Sequence, residues 1–344
     1  MIPRVLRRGA RRLREAGREL RALLHSRPER LRPGSKWYQR RQGEELEHYT
    51  SVFYRQDAEG ERSRETLVEP APPSWVEILR RNSELIRQAT GNDLVGHVIS
   101  RLKAREGARL LSLGSGPGGV ELVFAREAPG AEYLCLDLNP QVLKLGASSA
   151  AAEGLPVRFE QADLNTVVLP EREFDLVFCH ASLHHVIELE RLMEQVRRTL
   201  RPGGELVVVD VIARRGHRMW PETRTVVRAI WRTLPARYRV NHTAYAEERV
   251  DERIWEGDTR RFGMECIRGE EIVPLLERRF ARRWYVPSLA MCRRFFDTMY
   301  GPNYDLERPL DLAILNWIWA LDCAMLSSGQ LRPESFFGVY GLEG

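Results

Sequence analysis

The sequence predicts an α/β fold built on a mostly parallel sheet with helices on both faces. Three observations predict it. Short apolar runs alternate with helix-forming stretches from residue 109 to residue 210. A glycine-rich turn, Gly114-Ser115-Gly116-Pro117-Gly118-Gly119, joins the first run directly to the stretch after it. A second turn, Arg201-Pro202-Gly203-Gly204, precedes the strongly β-forming run Glu205-Leu206-Val207-Val208-Val209-Asp210.

Each element follows from a local pattern. Residues 75–105 set Ile78, Leu79, Leu85 and Ile86, then Leu94, Val95, Val98, Ile99 and Leu102, at helical spacing. Strand 109–113 meets the glycine turn, and a helix runs to about residue 127. Strand 132–137 precedes helix 140–152, and strand 156–160 leads to an acidic turn at Asp163. Strand 174–179 precedes helix 187–200, and strand 205–210 closes the run. Residues 211–268 carry no strand signal. Helix 270–279 and strand 281–288 resume the fold, an apolar insertion covers 289–333, and residues 335–342 form the last strand. The stretch 310–326 is interrupted by Asp311, Asn316 and Asp322, which predicts a buried helix instead of a membrane span.

Composition fits an ordinary globular protein, with 43% hydrophobic and 29% charged residues. The five cysteines (135, 179, 266, 292, 323) form no CxxC pair, which argues against a disulfide framework or a zinc knuckle. A cytoplasmic setting is expected. The net charge of +5 is uneven: residues 1–41 carry 13 Arg and one Lys against three Glu, so the arm holds +11 and the remainder −6. Leu6, Leu13, Leu20 and Leu24 punctuate this arm at helical spacing. A weak, peripheral contact with an anionic membrane surface or a polyanion is one reading, and a solvated arm is the other.

The chemistry rests on four places. Glycines at 114, 116 and 118 allow backbone to approach a ligand, and the helix behind them offers free N–H groups. The same letters satisfy GxGxxG, so alone they fit a dinucleotide as well. Asp137 ends the second strand, where a carboxylate can accept from both hydroxyls of a ribose. Asp163-Leu164 follows the third strand. Phe174-Asp175-Leu176-Val177-Phe178-Cys179-His180-Ala181-Ser182-Leu183-His184-His185 ends the fourth.

In this order the motifs resemble those of the class I S-adenosylmethionine (SAM) dependent methyltransferases, over about 100 of 344 residues. The resemblance implies a Rossmann-like, seven-stranded, mostly parallel sheet with a helical N-terminal extension and a helical lid insertion. It divides the chain into a basic arm (1–45), a helical extension (46–105), a SAM-binding core (106–212), a lid (213–268) and a C-terminal part of the core (269–344). It implies that Gly114, Ser115, Gly116 and Gly118 line the methionine half of SAM. Asp137 and Leu138 would hold the ribose, Asp163 and Leu164 the adenine. His180 and Ala181 would lie near the methionine carboxylate or the methyl group. The C-terminal third is similar to a bacterial small-molecule and glycan subset.

One position departs from the family. Where an acidic residue usually stands two places before the first glycine, this chain has Ser112. Glu121, on the first turn of the next helix, is the expected substitute partner for the SAM ammonium. The expected reaction is methyl transfer to a small-molecule or glycan acceptor, at oxygen, yielding S-adenosylhomocysteine (SAH) and using no metal. A hydroxyl nucleophile needs a general base, and His184, then His180, are the candidates. Residues His217, Tyr238, His242, Tyr245 and Glu247 of the lid are further ones. Three other classes compete. They are a methyltransferase acting on RNA or protein, a non-catalytic SAM-binding protein, and a nicotinamide-dependent oxidoreductase. The first has only the basic arm in its favour, and the last is opposed by Asp163-Leu164 and the lack of a Tyr-x-x-x-Lys pair.

Overall fold

The central strand β1 (Arg109–Leu113) is apolar on both faces because both are covered, and only Arg109 is not fully buried. In this computed structural model, which describes residues 31–53, 55–56, 62–63, 71–242, 249–259 and 263–342, seven strands join one sheet. β2 (Glu132–Asp137) and β3 (Val157–Gln161) extend it in parallel on one side of β1. β4 (Phe174–His180) and β5 (Leu200–Val211) extend it in parallel on the other. β6 (Ala281–Ser288) and β7 (Ser335–Gly341) finish the sheet, β7 lying antiparallel to both neighbours. The resulting order is β6-β7-β5-β4-β1-β2-β3. Chain direction of the crossovers reverses at β1, so the crevice outside the carboxyl ends of β1 and β4 is where such a sheet binds ligands.

Ten helices of the described residues pack around the sheet or build onto it. They are α1 (Lys36–Phe53), α2 (Pro73–Thr90), α3 (Leu94–Lys103), α4 (Gly119–Glu127), α5 (Pro140–Glu153), α6 (Leu189–Thr199), α7 (Pro221–Thr233), α8 (Ile272–Arg279), the single turn α9 (Arg293–Phe296) and α10 (Pro309–Ser327). Strand residues alternate between two cores. Leu111, Leu113, Val177 and Val208 face a cluster with Leu189, Leu192, Met193 and Val196 of α6 and Leu275 and Leu276 of α8. Leu110, Leu176, Phe178 and Val207 face Ile86, Val98, Leu102 and Phe124 on the other side.

The strong strands stand where the sequence predicts them, and the helices differ in detail. The 75–105 stretch is two helices, because Gly91 takes the left-handed conformation (φ 86°) and ends α2, and Asp93 caps α3 through the Gly96 N–H at 2.7 Å. The predicted helix 187–200 is α6, and a 3-10 turn at Leu183–His185 precedes it. The Arg201-Pro202-Gly203-Gly204 turn lies inside β5 as a bulge: Phe174 pairs with Leu200 and Leu176 with Glu205, so residues 201–204 loop out. α1 crosses the expected boundary between residues 45 and 46. Most of the expected basic arm, residues 1–30, lies outside the described residues.

The lid and the second insertion are one body. Ile78 of α2, Val227, Ile230 and Trp231 of α7, Phe295 and Phe296, Tyr300 and Tyr304, and Leu315 and Ile318 of α10 share one apolar cluster. α10 corrects the prediction of a buried helix. Its inner stripe is Asp311, Leu315, Ile318 and Asp322, while Leu310 and Trp317 are 60% and 52% exposed. By length and composition it is long and apolar enough to cross a membrane. Its two acids turn inward because each serves the backbone. Asp311 accepts from the Asp305 N–H (3.0 Å) and from Tyr238 (2.5 Å). Asp322 accepts from the N–H groups of Ala290 (3.2 Å), Met291 (2.6 Å) and Cys292 (3.0 Å).

Asp322 therefore sets a stability test. Asp322→Ala leaves three buried donors without a partner and is expected to cost about 3 kcal/mol or more in urea unfolding. Asp322→Asn keeps an acceptor oxygen, and its loss is expected to be about 1 kcal/mol.

Candidate active site

A cavity of about 300 Å3 opens at the carboxyl ends of β1, β2 and β4 and the turn after β3. The glycine turn forms its floor. Gly114 and Gly116 take positive φ (73° and 54°), and a Cβ on Gly114 would stand 2.4 Å from Cβ of Ser182. That contact lets the β1 and β4 turns touch, while Gly116 keeps open space beside it. Asp137 stands on the wall, and its carboxylate accepts from the N–H groups of Gly116 (2.8 Å) and Asn139 (2.8 Å). Each oxygen has a second lone pair available for a ligand hydroxyl. Burial raises its carboxyl above the ordinary range, and the two amides oppose this.

The expected site residues divide into those on the wall and those behind it. Gly114, Ser115, Gly116, Asp137, Leu138, Asp163, Leu164, His180 and Ala181 line the cavity. Gly118, Glu121 and His184 are outside its lining. Gly118 faces the ring of Phe159, 2.7 Å from where its Cβ would be. Glu121 lies under the glycine turn, 3% exposed, and accepts from the Ser112 hydroxyl at 2.5 Å. The short residue on the strand and the long one on the helix thus place a carboxylate at position 112 from the opposite direction. Burial raises the Glu121 carboxyl above its usual range.

Asp163 is on the wall but already engaged. Its oxygens accept from the Tyr38 hydroxyl (2.8 and 2.7 Å), from Gln42 (3.2 Å), and from the backbone (2.9 Å) and side chain (3.2 Å) of Asn165. Tyr38 and Gln42 belong to α1, whose Glu45, Leu46 and Tyr49 close the cavity from above. A ligand amino group reaching Asp163 therefore competes with α1 for the same lone pairs.

At the far end the histidines take different places from those expected. His180 and His185 are on the cavity wall, and His184 is not. His184 is 4% exposed and holds Asp210 through Nδ1 at 2.6 Å. Its Nε2 is 3.4 Å from Glu265 Oε1. Nε2 of His185 is 3.2 Å from Glu265 Oε2, and Nε2 of His217 is 2.6 Å from Oε1. The Tyr49 hydroxyl donates to the same carboxylate at 3.0 Å. Glu45 Oε1 stands 3.1 Å from Nδ1 of His185, and its other oxygen accepts the Met264 N–H at 3.0 Å. Burial opposes a charge on His184, but Asp210 and Glu265 carry it up to about 10. Burial takes His217 down to about 4. His180 stacks on Phe178 and has no part in this cluster.

Of the other lid candidates, Tyr238 bonds Asp311 and His242 bonds Asn303 at 2.8 Å, away from the cavity. Tyr245 and Glu247 lie outside the described residues. Glu45, Tyr49 and Glu265 escape sequence reasoning, because no spacing links residue 49 to residue 265. Their partner His217 was among the candidates.

Comparison with known proteins places the core. A family model described as a methyltransferase domain matches residues 111–208. A demethylmenaquinone methyltransferase of Thermus thermophilus is 35% identical over 102 residues, 30% of this chain and 46% of that protein. A malonyl-[acyl-carrier protein] O-methyltransferase of Enterobacter lignolyticus is 33% identical over 133 residues, 39% of this chain and 49% of that one. The ubiquinone/menaquinone biosynthesis C-methyltransferase UbiE of Stutzerimonas stutzeri is 33% identical over 131 residues, 35% and 51% of the two chains. The chain spans about half the length of the curated relatives it matches. Among solved structures, the YcgJ protein of Bacillus subtilis covers 73% of this chain and 98% of its own at 19% identity, with a TM-score of 0.41.

Two substitutions test the geometry. Gly114→Ala puts a methyl group against Ser182 at positive φ, and is expected to destabilise by about 2 kcal/mol or more in thermal unfolding. Asp163→Asn weakens the acceptor that Tyr38 holds, so proteolysis within α1 is expected to accelerate, with about 1 kcal/mol lost from global stability.

Proposed function

We propose, from the premise that residues 111–208 are a methyltransferase domain, that this chain transfers a methyl group from SAM to an oxygen of a small-molecule acceptor. The observation that carries the reading is a cavity of about 300 Å3 that sets the glycine turn and Asp137 at one end and His185, Glu45 and Tyr49 at the other. Gly114 and Gly116 leave room for backbone contact with a ligand, and Asp137 offers free lone pairs where a ribose would sit. SAM, when bound, supplies a methyl group on a sulfonium that leaves as a neutral thioether.

The residues do the rest. α1 and the 183–187 segment exclude water from the cavity, and Leu46, Val142, Leu164 and Met264 give it apolar walls. The walls align an acceptor oxygen with the reacting carbon. The hydroxyl proton moves to an imidazole or carboxylate at the cavity end, where Glu45, Tyr49 and His185 line the wall. His184, bonded to Asp210 and set behind the wall, positions that turn. The Glu121 carboxylate supports the glycine turn electrostatically toward the ligand ammonium. A small acceptor is favoured because α1, Met264 and the 3-10 turn enclose the far end.

Calorimetry with SAH tests the cofactor half. Asp137→Asn is expected to weaken binding by about tenfold or more, matching a lost charge-assisted hydrogen bond. Glu121→Gln keeps the bond to Ser112, so a loss of up to about tenfold would isolate the contribution of its charge. Tritiated-methyl transfer into fractionated cell extract tests the acceptor half. Label is expected in the low-molecular-weight fraction, and label in RNA or protein instead would defeat the small-acceptor reading.

A further inference from the structure

The cavity end holds more ligating chemistry than one proton transfer requires. Three imidazole Nε2 atoms converge on the single carboxylate of Glu265. For His217 the 2.6 Å separation is a hydrogen bond. For His184 the separation of 3.4 Å is long for an N–H···O bond, and for His185 the separation of 3.2 Å is at the upper end of that range. They suit two ligands of one ion, since bonds of about 2.0–2.2 Å in tetrahedral array set ligand atoms about 3.4 Å apart. The ligand atoms of His184, His185 and Glu265 lie within 4.8 Å of one another.

We propose that His184, His185 and Glu265 bind one divalent transition-metal ion, with its remaining positions turned to the cavity.

The surroundings fit. A metal-bound imidazole is oriented by an acceptor at its other nitrogen. Nδ1 of His184 is hydrogen-bonded to Asp210 at 2.6 Å, and Nδ1 of His185 lies 3.1 Å from Glu45 without a hydrogen bond formed. His217 and Tyr49 hold the ligand carboxylate from two more sides. Charge points the same way. Glu45, Asp210 and Glu265 bring three carboxylates to one largely buried cluster. Burying several carboxylates together is costly, and a divalent cation bound by Glu265 would offset part of that cost. Two imidazoles and one carboxylate favour zinc, iron, cobalt or nickel over magnesium or calcium, which take oxygen ligands. The nearby Cys266 is not a ligand, because its thiol faces the carbonyls of Ala213 and Arg214.

His185 borders the cavity, so the ion's open positions face the space beside the turn at 180–182. An acceptor hydroxyl or carbonyl oxygen would bind there and be aligned by the ion, which is the part of the inference that rests on the methyltransferase reading.

The test uses the full chain, freed of metal by a chelator and titrated with cobalt(II) chloride under visible absorption and calorimetry. Saturation at one equivalent with d–d bands is expected. His185→Ala and Glu265→Gln are expected to weaken uptake by at least about tenfold, and Tyr49→Phe, which keeps every ligand, by a smaller factor in the range of about 10-fold or less. Circular dichroism identifies any variant that fails to fold, and Tyr49→Phe then carries the comparison. No saturable uptake by the unaltered protein, or unchanged uptake in folded His185→Ala, overturns the metal site. SAH calorimetry on the metal-free protein separates the two readings. SAH binding without cobalt uptake removes the ion alone, and cobalt uptake without SAH binding removes the methyltransferase reading alone.

Discussion

The carboxylate of Asp210, at the end of β5, holds the site together. It is 1% exposed and accepts from the backbone N–H groups of Ser182 (3.1 Å), Leu183 (2.8 Å) and Val211 (2.6 Å), and from Nδ1 of His184. A buried carboxylate is tolerable only with this many donors. Burial tends to raise its carboxyl and the His184 imidazole lowers it, so it stays ionised and keeps its bonds. One side chain thereby fixes the path of the chain as it leaves β4. Ala181 is driven to φ 52°, an uncommon conformation for a non-glycine residue, and its N–H donates to Val209 at 2.7 Å. Ser182 is pressed against Gly114, and the next turn delivers His184 and His185 to the cavity end. The glycine at 114 is therefore required by the β4 turn as much as by a ligand.

Above this floor the site is closed by parts remote in sequence. α1 reaches it from the N-terminal side, and its anchors to the site are polar. Tyr38 binds Asp163, Glu45 caps the Met264 N–H, and Tyr49 binds Glu265. Only Leu31, Tyr38, Ile187, Met264 and Ile267 form an apolar cluster beneath it. A segment held mainly by hydrogen bonds to site residues opens at lower free energy than one packed into a core. Closure of α1 and occupation of Asp163 thus draw on the same lone pairs, which links ligand entry to helix position.

Much of the fold was legible because strand runs and glycine turns are local signals. β1, β2, β4 and β5 read directly, since a strand covered on both faces must be apolar along its length. Their loops read in chain order as well, as Gly114, Gly116, Asp137 and His180 stand on one cavity wall. What failed to read depends on distance or direction. The boundary at residues 45 and 46 cut through α1, because an arginine-rich face masks helical continuity. α10 looked buried because its mean hydropathy is high, yet its acids point inward to caps and Trp317 points outward. His184 and His185 exchanged their expected places, because a 3-10 turn offers no sequence rule for which neighbour faces the crevice. Glu265 could not be found at all, since its partners lie at residues 49, 184, 185 and 217.

The departure at Ser112 shows how far a sequence rule survives its own violation. What the structure places beside Ser112 is a carboxyl group from the neighbouring helix. Serine on β1 is 1% exposed, so its hydroxyl needs a partner. Glu121 on the first turn of α4 satisfies the hydroxyl from the helix N-terminus, where the helix dipole favours a negative charge. Gly118 permits this by its left-handed turn (φ 73°), and a Cβ there would lie 3.9 Å from the Glu121 carboxylate and 2.7 Å from Phe159. The Glu121 carboxyl thus meets Ser112 from the helix side, and the left-handed turn at Gly118 is what leaves room for that contact.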